Sequence, residues 1–405
     1  MTGKHGTICP GLRMCLCAVL LMAVTCLTGG CAQVDSVLVR AGITESPYYH
    51  LGDTTWDHGG VEEYWFNQIP SELNETYREL YSRLSSYEDE AELYAGIPTE
   101  TFWKVYYAVL ADHPEFFWMD SNIEAAESAL TGKITSYRVI ANLPVELRDK
   151  RRLALEAAAD ECIARIPSDA SDYDRIRMVY EYIIDTVDYV SGAPNNQNIQ
   201  SALLGRQSVC AGYAKAFQYI LHRMGMFCTY VTGKTENGDE HAWNVVRLDG
   251  LYYNVDTTWG DPVFAGSQEE EDGYADTYNA VMNYNYLCCT DEELCRTHIP
   301  EADFTLPSCT DGSYNYYRRN NLYYEGFDYD TIYNALMQSV WEERRYIVMK
   351  FDSKETLDTA VRAFFTDGML QDPAQYLMEI YGVSSWNYRY NVDEDFQEIT
   401  IYWMV

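Results

Sequence analysis

The Asp249-Gly250 dipeptide constrains this chain more than any other feature, because it lies between two runs of alternating residues. An Asp-Gly pair in that setting is typical of a two-residue β-hairpin turn. With these two residues in the turn, Leu248 pairs with Leu251 and the register of both strands is fixed. The sequence therefore predicts an antiparallel hairpin whose side chains can be assigned to faces.

The predicted register brings a histidine and a carboxylate to one face of the sheet. Trp243 is expected opposite Asp256, and His241 opposite Thr258. Directly paired residues share a face, and so do residues two apart along a strand, which adds Asn254 to this face. His241 and Asp256 are then diagonal neighbours with Cβ atoms roughly 7 Å apart. The imidazole and the carboxylate can hydrogen-bond across that gap.

A helix is predicted just upstream, with Ser208 as its N-cap. Its apolar positions recur at spacings of four and three, as on one face of an α-helix. These positions are Cys210, Ala214, Phe217, Leu221 and Met224. A thiol at the positive end of a helix dipole is favoured as the thiolate, which is the nucleophilic form. The alternative interpretation is that Cys210 is a small buried apolar residue.

A thiol, an imidazole and an orienting carboxylate are the parts of an activated nucleophile. Taken singly, each residue also has an ordinary structural explanation: a buried cysteine, a strand histidine and an edge aspartate. Their joint placement favours the catalytic interpretation of Cys210, His241 and Asp256 over three independent coincidences.

Three motifs also resemble the core of the transglutaminase-like superfamily. They are V-C-A-G-Y-A at 209–214, H-A-W-N at 241–244 and N-V-D-T-T-W-G-D at 254–261. The resemblance covers roughly residues 170–300 and implies a papain-like fold. It implies Cys210 as nucleophile, His241 as general base and acid, and Asp256 as the orienting residue.

The expected fold class is α+β, with the cysteine helix packed on an antiparallel sheet in a papain-like core. Helical periodicity precedes this core, and a mixture of strand and helix patterns follows it. The predicted segments are a signal peptide (1–30), a tether (31–59), a helical N-terminal region (60–132), a transglutaminase-like core (133–304) and a small C-terminal α/β unit (305–405).

The N-terminus has the pattern of a signal peptide, because basic residues precede a short apolar run from Met14 to Leu27. The stretch L-T-G-G-C resembles the lipobox of bacterial lipoproteins, although Leu27 lies four residues before Cys31 rather than three. The sequence predicts lipidation of Cys31, a membrane anchor and an extracytoplasmic location, ahead of simple secretion.

The formal net charge of −33 argues against a nucleic-acid partner, whose phosphates require a basic surface. The acidic run at 269–272 offers oxygen ligands for calcium, but it lacks EF-hand spacing. Such runs are usually solvated, so no metal and no cofactor are predicted. His298 is interpreted as structural.

The predicted function is an extracytoplasmic thiol enzyme that acts on amide bonds of peptides or proteins through a thioester. It is either a peptidase or amidase, or an acyltransferase that crosslinks proteins. Gln200 or Gln207 is a candidate side-chain donor to the oxyanion, beside the backbone N–H of Cys210. The alternative is a non-catalytic surface binding or scaffold protein that retains the fold.

Overall fold

The computed structural model describes residues 38–39, 44, 61–261, 281–301, 305–382 and 387–404. The predicted signal peptide, Cys31 and the acidic run at 269–272 lie outside these residues. Within the described part of the chain, no helix is both long enough and apolar enough to cross a membrane.

The described α-helices are numbered in chain order. They are α1 (Tyr64–Gln68), α2 (Asn74–Ser85), α3 (Thr99–Asp112), α4 (Val145–Ile163), α5 (Asp172–Thr186), α6 (Cys210–Arg223), α7 (Asp291–Leu294), α8 (Tyr316–Arg319), α9 (Tyr329–Trp341), α10 (Lys354–Phe365) and α11 (Gln371–Tyr381).

The described strands are numbered in the same way. They are β1 (Glu90–Pro98), β2 (Met119–Ser128), β3 (Lys133–Ala141), β4 (Asp188–Tyr189), β5 (Gln207–Ser208), β6 (Cys228–Thr235), β7 (Glu240–Leu248), β8 (Leu251–Val255), β9 (Leu287–Cys289), β10 (His298–Pro300), β11 (Tyr323–Tyr324), β12 (Tyr346–Phe351), β13 (Asn387–Asp393) and β14 (Glu398–Met404).

The centre of the fold is a five-stranded antiparallel sheet in the order β10-β6-β7-β8-β9. Helix α6, which begins at Cys210, packs against β6 and β7 and is also contacted by α4 and α5. Because it is enclosed from several directions, side chains all around it are buried, among them Tyr213, Phe217 and Ile220. The predicted α+β fold, with the cysteine helix on an antiparallel sheet, is confirmed.

The Asp249-Gly250 turn is formed as predicted. Asp249 and Gly250 have φ values of 51° and 80°, the left-handed conformations that a type I′ hairpin turn requires at both central positions. The ladder of β7 and β8 starts at Leu248 with Leu251 and keeps its register to Asn244 with Val255. The predicted register is therefore correct over the whole ladder.

The end of β8 differs from the prediction. The strand stops at Val255, and residues 257–260 form a turn that leaves the sheet. Asp256 therefore lies one residue beyond the ladder, and the predicted pairing of His241 with Thr258 is wrong. The turn is held by the backbone N–H of Gly260, which donates to the Asp256 carbonyl at 3.1 Å.

The N-terminal region is not wholly helical, so that prediction for 60–132 is wrong in part. Helix α3 begins at Thr99 after Pro98, as expected, but β1 and β2 also fall in this region. Together with β3 they form an antiparallel sheet in the order β1-β3-β2. The β2 segment, M-D-S-N-I-E-A-A-E-S, contains several helix-forming residues, and its pairing with β3 overrides that local preference.

The C-terminal unit has its own apolar core around a mixed sheet in the order β11-β12-β14-β13. It contacts the central sheet through Asn285, whose Nδ2 donates to Glu398 Oε2 at 2.8 Å. The Nζ of Lys350 in turn donates to Asn285 Oδ1 at 2.6 Å. These buried polar contacts fix the unit beside β9.

Candidate active site

The structure brings Cys210, His241 and Asp256 together. The Nε2–H of His241 donates to Asp256 Oδ2 at 2.7 Å, and Cys210 lies close enough to the same imidazole to raise its pKa. His241 and Asp256 are 6% and 0% exposed, whereas Cys210 is half-buried. The buried pair therefore supports a sulfur atom that solvent and a substrate can reach.

Cys210 occupies the first position of α6, where its backbone N–H has no partner within the helix. The N-cap residue is Val209, so the prediction that Ser208 caps this helix is wrong. The Oγ atoms of Ser208 and Ser201 instead lie 2.6 Å apart. A Cβ on Gly212 would lie 1.9 Å from Ser208 Oγ, so this serine pair requires glycine at the first turn of the helix.

The Asp256 carboxylate accepts four hydrogen bonds. Oδ1 accepts from the backbone N–H groups of Thr258 at 2.8 Å and Trp259 at 3.2 Å. Oδ2 accepts from the Nε2 atoms of His241 at 2.7 Å and His298 at 2.9 Å. The turn after β8 therefore orients one oxygen of the carboxylate, and two imidazoles share the other.

His298 was interpreted as structural from the sequence, and its contact with Asp256 was missed. It lies 42 residues beyond Asp256, on the edge strand β10, and no spacing motif links the two. Strand pairing explains the contact: His298 pairs with Thr235, and His241 pairs with Gly233, two residues away on the same strand. All four positions share a face, and the two imidazole centroids lie 5.0 Å apart.

Gly233 makes this approach of the edge strand to the site possible. A Cβ at this position would lie 2.3 Å from the carbonyl oxygen of Ile299 and 2.8 Å from the Trp243 ring. Without a side chain there, β10 approaches closely and the Trp243 ring packs 5.3 Å from the His298 ring. The glycine therefore brings the second histidine into the site.

The charges of the site stabilise one another. Burial alone would raise the pKa of Asp256, but the imidazoles of His241 and His298 outweigh it and hold that pKa well below its usual range. Burial alone would lower the pKa of His241, but Asp256 and Cys210 raise it to about 10. The buried pair is therefore a carboxylate and an imidazolium at neutral pH.

The protonation of the ring nitrogens follows from the ionised carboxylate. An ionised carboxylate only accepts hydrogen bonds, so the Nε2 atoms of His241 and His298 both carry hydrogen. The Nδ1 of His241 is thereby left as the nitrogen that exchanges a proton with the Cys210 thiol. In the imidazolium, Nδ1 holds that proton and can release it to a leaving group.

The ligand atoms of His241, Asp256 and His298 lie within 4.8 Å of one another, a spacing that a metal ion could bridge. A metal would require an unprotonated nitrogen on each imidazole, whereas both Nε2 atoms donate hydrogen bonds to Asp256. The backbone N–H groups already occupy the second carboxylate oxygen. The observed geometry fits a hydrogen-bonded network better than a metal centre.

The two glutamine candidates for the oxyanion differ. The Nε2 of Gln200 donates to the carbonyl of Phe117 at 2.8 Å and to Asn142 Oδ1 at 3.5 Å, which uses both amide hydrogens. Gln200 therefore has no hydrogen for an oxyanion, and that prediction is wrong. Gln207 is exposed on β5, and its role stays a prediction.

Residues 159–257 match the family described as the transglutaminase-like superfamily. The chain carries a transglutaminase-like core. This core includes Cys210, His241 and Asp256, whereas His298 lies beyond the matched residues. The match supports a thiol-enzyme fold for this part of the chain.

Curated relatives of the transglutaminase-like core include kyphoscoliosis peptidase. The protein of Mus musculus is 26% identical over 143 residues, which cover 29% of this chain and 22% of that protein. The protein of Homo sapiens is 27% identical over 126 residues, which cover 27% and 19%. The chain thus spans about a fifth of the length of these relatives.

Among solved structures, the chain is similar to one described as the crystal structure of a TGase. The sequence identity is 12% and the TM-score is 0.27. The similarity covers 46% of this chain and 53% of the other.

Proposed function

We propose that this protein is an extracytoplasmic thiol enzyme that cleaves amide bonds of peptides or proteins through a thioester on Cys210. The observation that carries the proposal is the His241–Asp256 hydrogen bond of 2.7 Å beside Cys210, at the first position of α6. Cys210 is half-buried, so a substrate can reach its sulfur beside the imidazolium.

In the proposed reaction, the Cys210 sulfur attacks the amide carbonyl carbon while the proton of the thiol is held on Nδ1 of the His241 imidazolium. The carbonyl oxygen gains charge, and the backbone N–H of Cys210 at the positive end of α6 donates to it. The C–N bond breaks when His241 returns the proton to the leaving amine. A thioester between Cys210 and the acyl group remains.

Water or an amine then attacks the thioester carbonyl carbon and gives a proton to Nδ1 of His241. The C–S bond breaks, and the Cys210 sulfur leaves beside the restored imidazolium. Attack by water makes the protein a peptidase or amidase, and attack by a lysine amine makes it a crosslinking acyltransferase. The curated relatives carry the name peptidase, which favours hydrolysis. Both outcomes require the same three residues, so an experiment has to separate them.

Alkylation tests whether the thiol is activated. Of the described cysteines, Cys210 is half-buried, Cys295 is exposed and the others are buried, so iodoacetamide can label two sites that mass spectrometry distinguishes. We expect Cys210 at pH 6 to react at least about 10-fold faster than N-acetylcysteine, because the adjacent imidazolium stabilises negative charge on the attacking sulfur. Equal rates would favour a non-catalytic binding or scaffold protein.

The reaction is tested with casein and a fluorescent amine. Casein fragments without incorporated amine would establish hydrolysis, whereas incorporation into intact casein would establish acyl transfer. Cys210→Ala should abolish either product, and Cys295→Ala should leave it unchanged. A product that persists in Cys210→Ala would overturn the proposed chemistry.

The proposed location rests on the sequence of residues 1–31. A basic start, an apolar run and Cys31 support export followed by lipidation. We expect wild-type protein in the membrane fraction of cells and Cys31→Ala in the soluble fraction. Membrane association that survives Cys31→Ala would exclude this anchor.

A further inference from the structure

A cavity of about 400 Å³ lies between α6, the sheet and the N-terminal helices. Lys215 of α6, Tyr230 of β6 and Glu240 of β7 line it, and Trp65 and Tyr107 close it from the N-terminal region. Lys215 lies five residues after Cys210 on α6, and Glu240 directly precedes His241 on β7. The cavity therefore extends away from the reacting atoms along the junction of helix and sheet.

The charged side chains that line this cavity are paired, with one exception. The Nζ of Lys104 lies 3.1 Å from Glu100 Oε1. The Nζ of Lys234 lies 2.7 Å from Glu301 Oε1 and 3.9 Å from Glu240 Oε1. Among the described residues of the lining, the remaining charged group is the ammonium of Lys215.

Lys215 has no carboxylate within 4.0 Å of its Nζ among the residues that the structure describes. Its Nζ donates to the carbonyl of Gln197 at 3.0 Å and lies 5.3 Å from the centroid of the Tyr230 ring. An ammonium has three hydrogens, so two remain available. Burial lowers the pKa of Lys215 to about 8, with Asp120 opposing that shift, so the group is predominantly charged at neutral pH.

We propose that this cavity binds a carboxylate-bearing side chain of the substrate's acyl-donor segment, with the carboxylate on Lys215. This inference rests on the proposed function, which makes the segment whose amide carbonyl Cys210 attacks the acyl donor. A carboxylate would pair with the ammonium of Lys215 through charge-assisted hydrogen bonds. Trp65 and Tyr107 supply apolar surface for the stem of that side chain.

The test uses binding without turnover. In the Cys210→Ala protein, fluorescence anisotropy compares two fluorescein-labelled hexapeptide pools that are identical except that glutamate in one is glutamine in the other. We expect the glutamate pool to bind about 10- to 100-fold more tightly, as for a hydrogen bond between charged groups. Lys215→Met should remove the preference, and Lys215→Arg should retain part of it.

Lys354→Met is the matched control, because it removes one positive charge from an exposed lysine that lies 2.6 Å from Glu394 in the C-terminal unit. This variant should keep the full preference. Equal binding of the two pools, or an equal loss of preference in Lys354→Met, would overturn the proposed subsite.

The two proposals fail separately. A glutamate preference that depends on Lys215, together with ordinary alkylation of Cys210, would support the subsite and contradict the thiol enzyme. Rapid alkylation of Cys210 without a glutamate preference would support the enzyme and contradict the subsite.

Discussion

His298 and His241 donate their Nε2–H groups to one oxygen of Asp256, Oδ2, at 2.9 and 2.7 Å. The other nitrogen of His298, Nδ1, lies 2.8 Å from Thr297 Oγ1, which fixes the ring from the opposite side. The carboxylate is therefore positioned between two imidazoles, and only one of them contacts the thiol. We expect His298 to act through Asp256 as a positioning residue.

Replacing His298 by leucine should weaken the proposed activity and the alkylation of Cys210 by about 10- to 100-fold, the usual cost of a lost charge-assisted hydrogen bond. His298→Gln, which can still donate to Asp256 Oδ2, should recover much of both. Second-order alkylation rates and thermal melts measure the effect. A variant that melts lower but whose folded fraction is alkylated at the wild-type rate would exclude the positioning role.

Asp256→Asn should reduce the proposed catalytic rate by about 10³- to 10⁴-fold while the protein still folds, as when an orienting aspartate is replaced in other triads. The neutral amide neither stabilises the imidazolium nor enforces the tautomer that leaves Nδ1 for the thiol. Asp249→Asn is the control, because Asn-Gly also favours a type I′ turn. Equal activity of Asp256→Asn and wild type would remove Asp256 from the mechanism.

The stability of the fold should depend on pH through His241. Its pKa rises from about 6.5 to about 10 on folding, because Asp256 and Cys210 outweigh the effect of burial. A raised folded-state pKa gives a stabilisation that is complete below about pH 6.5 and is lost as the pH rises through about 10.

The stability advantage of wild type over His241→Gln should therefore be larger at pH 6 than at pH 10. Urea unfolding at the two pH values measures it. A constant difference would show that the charged pair does not contribute in this range.

The parts of the site that were predicted from the sequence are those with local signals. The Asp249-Gly250 turn sets the register of β7 and β8, and continuing that register past the ladder predicts His241 near Asp256. The Cys210 helix follows from its periodicity. Its contact with the hairpin has no local signal, and only the family resemblance indicated it.

The parts that were missed depend on contacts between distant segments. His298 reaches the site because its short edge strand pairs with β6, and three residues of strand carry too little pattern to predict that pairing. Gln200 was a reasonable oxyanion donor by position in the chain. Its amide instead holds the loop before β2, at Phe117, which no feature of the local sequence indicates.

Gly233→Ala tests how the edge strand is brought into the site. The added methyl group would lie 2.3 Å from the Ile299 carbonyl oxygen and 2.8 Å from the Trp243 ring, so β10 or Trp243 has to move. We expect a loss of about 1–3 kcal/mol in the free energy of unfolding, the usual cost of overpacking. Alkylation of Cys210 should also slow, because His298 moves with β10.

Gly192→Ala is the control for this variant, because no other group lies within 4 Å of the added methyl group. Its stability should change by less than about 0.5 kcal/mol, as for surface substitutions away from special features. The double variant Gly233→Ala/His298→Leu separates two explanations for a slower alkylation. If it is alkylated no more slowly than Gly233→Ala alone, both substitutions act by one route, from β10 through His298 to Asp256. Additive effects of the two substitutions would show instead that Gly233 acts on the site independently of His298.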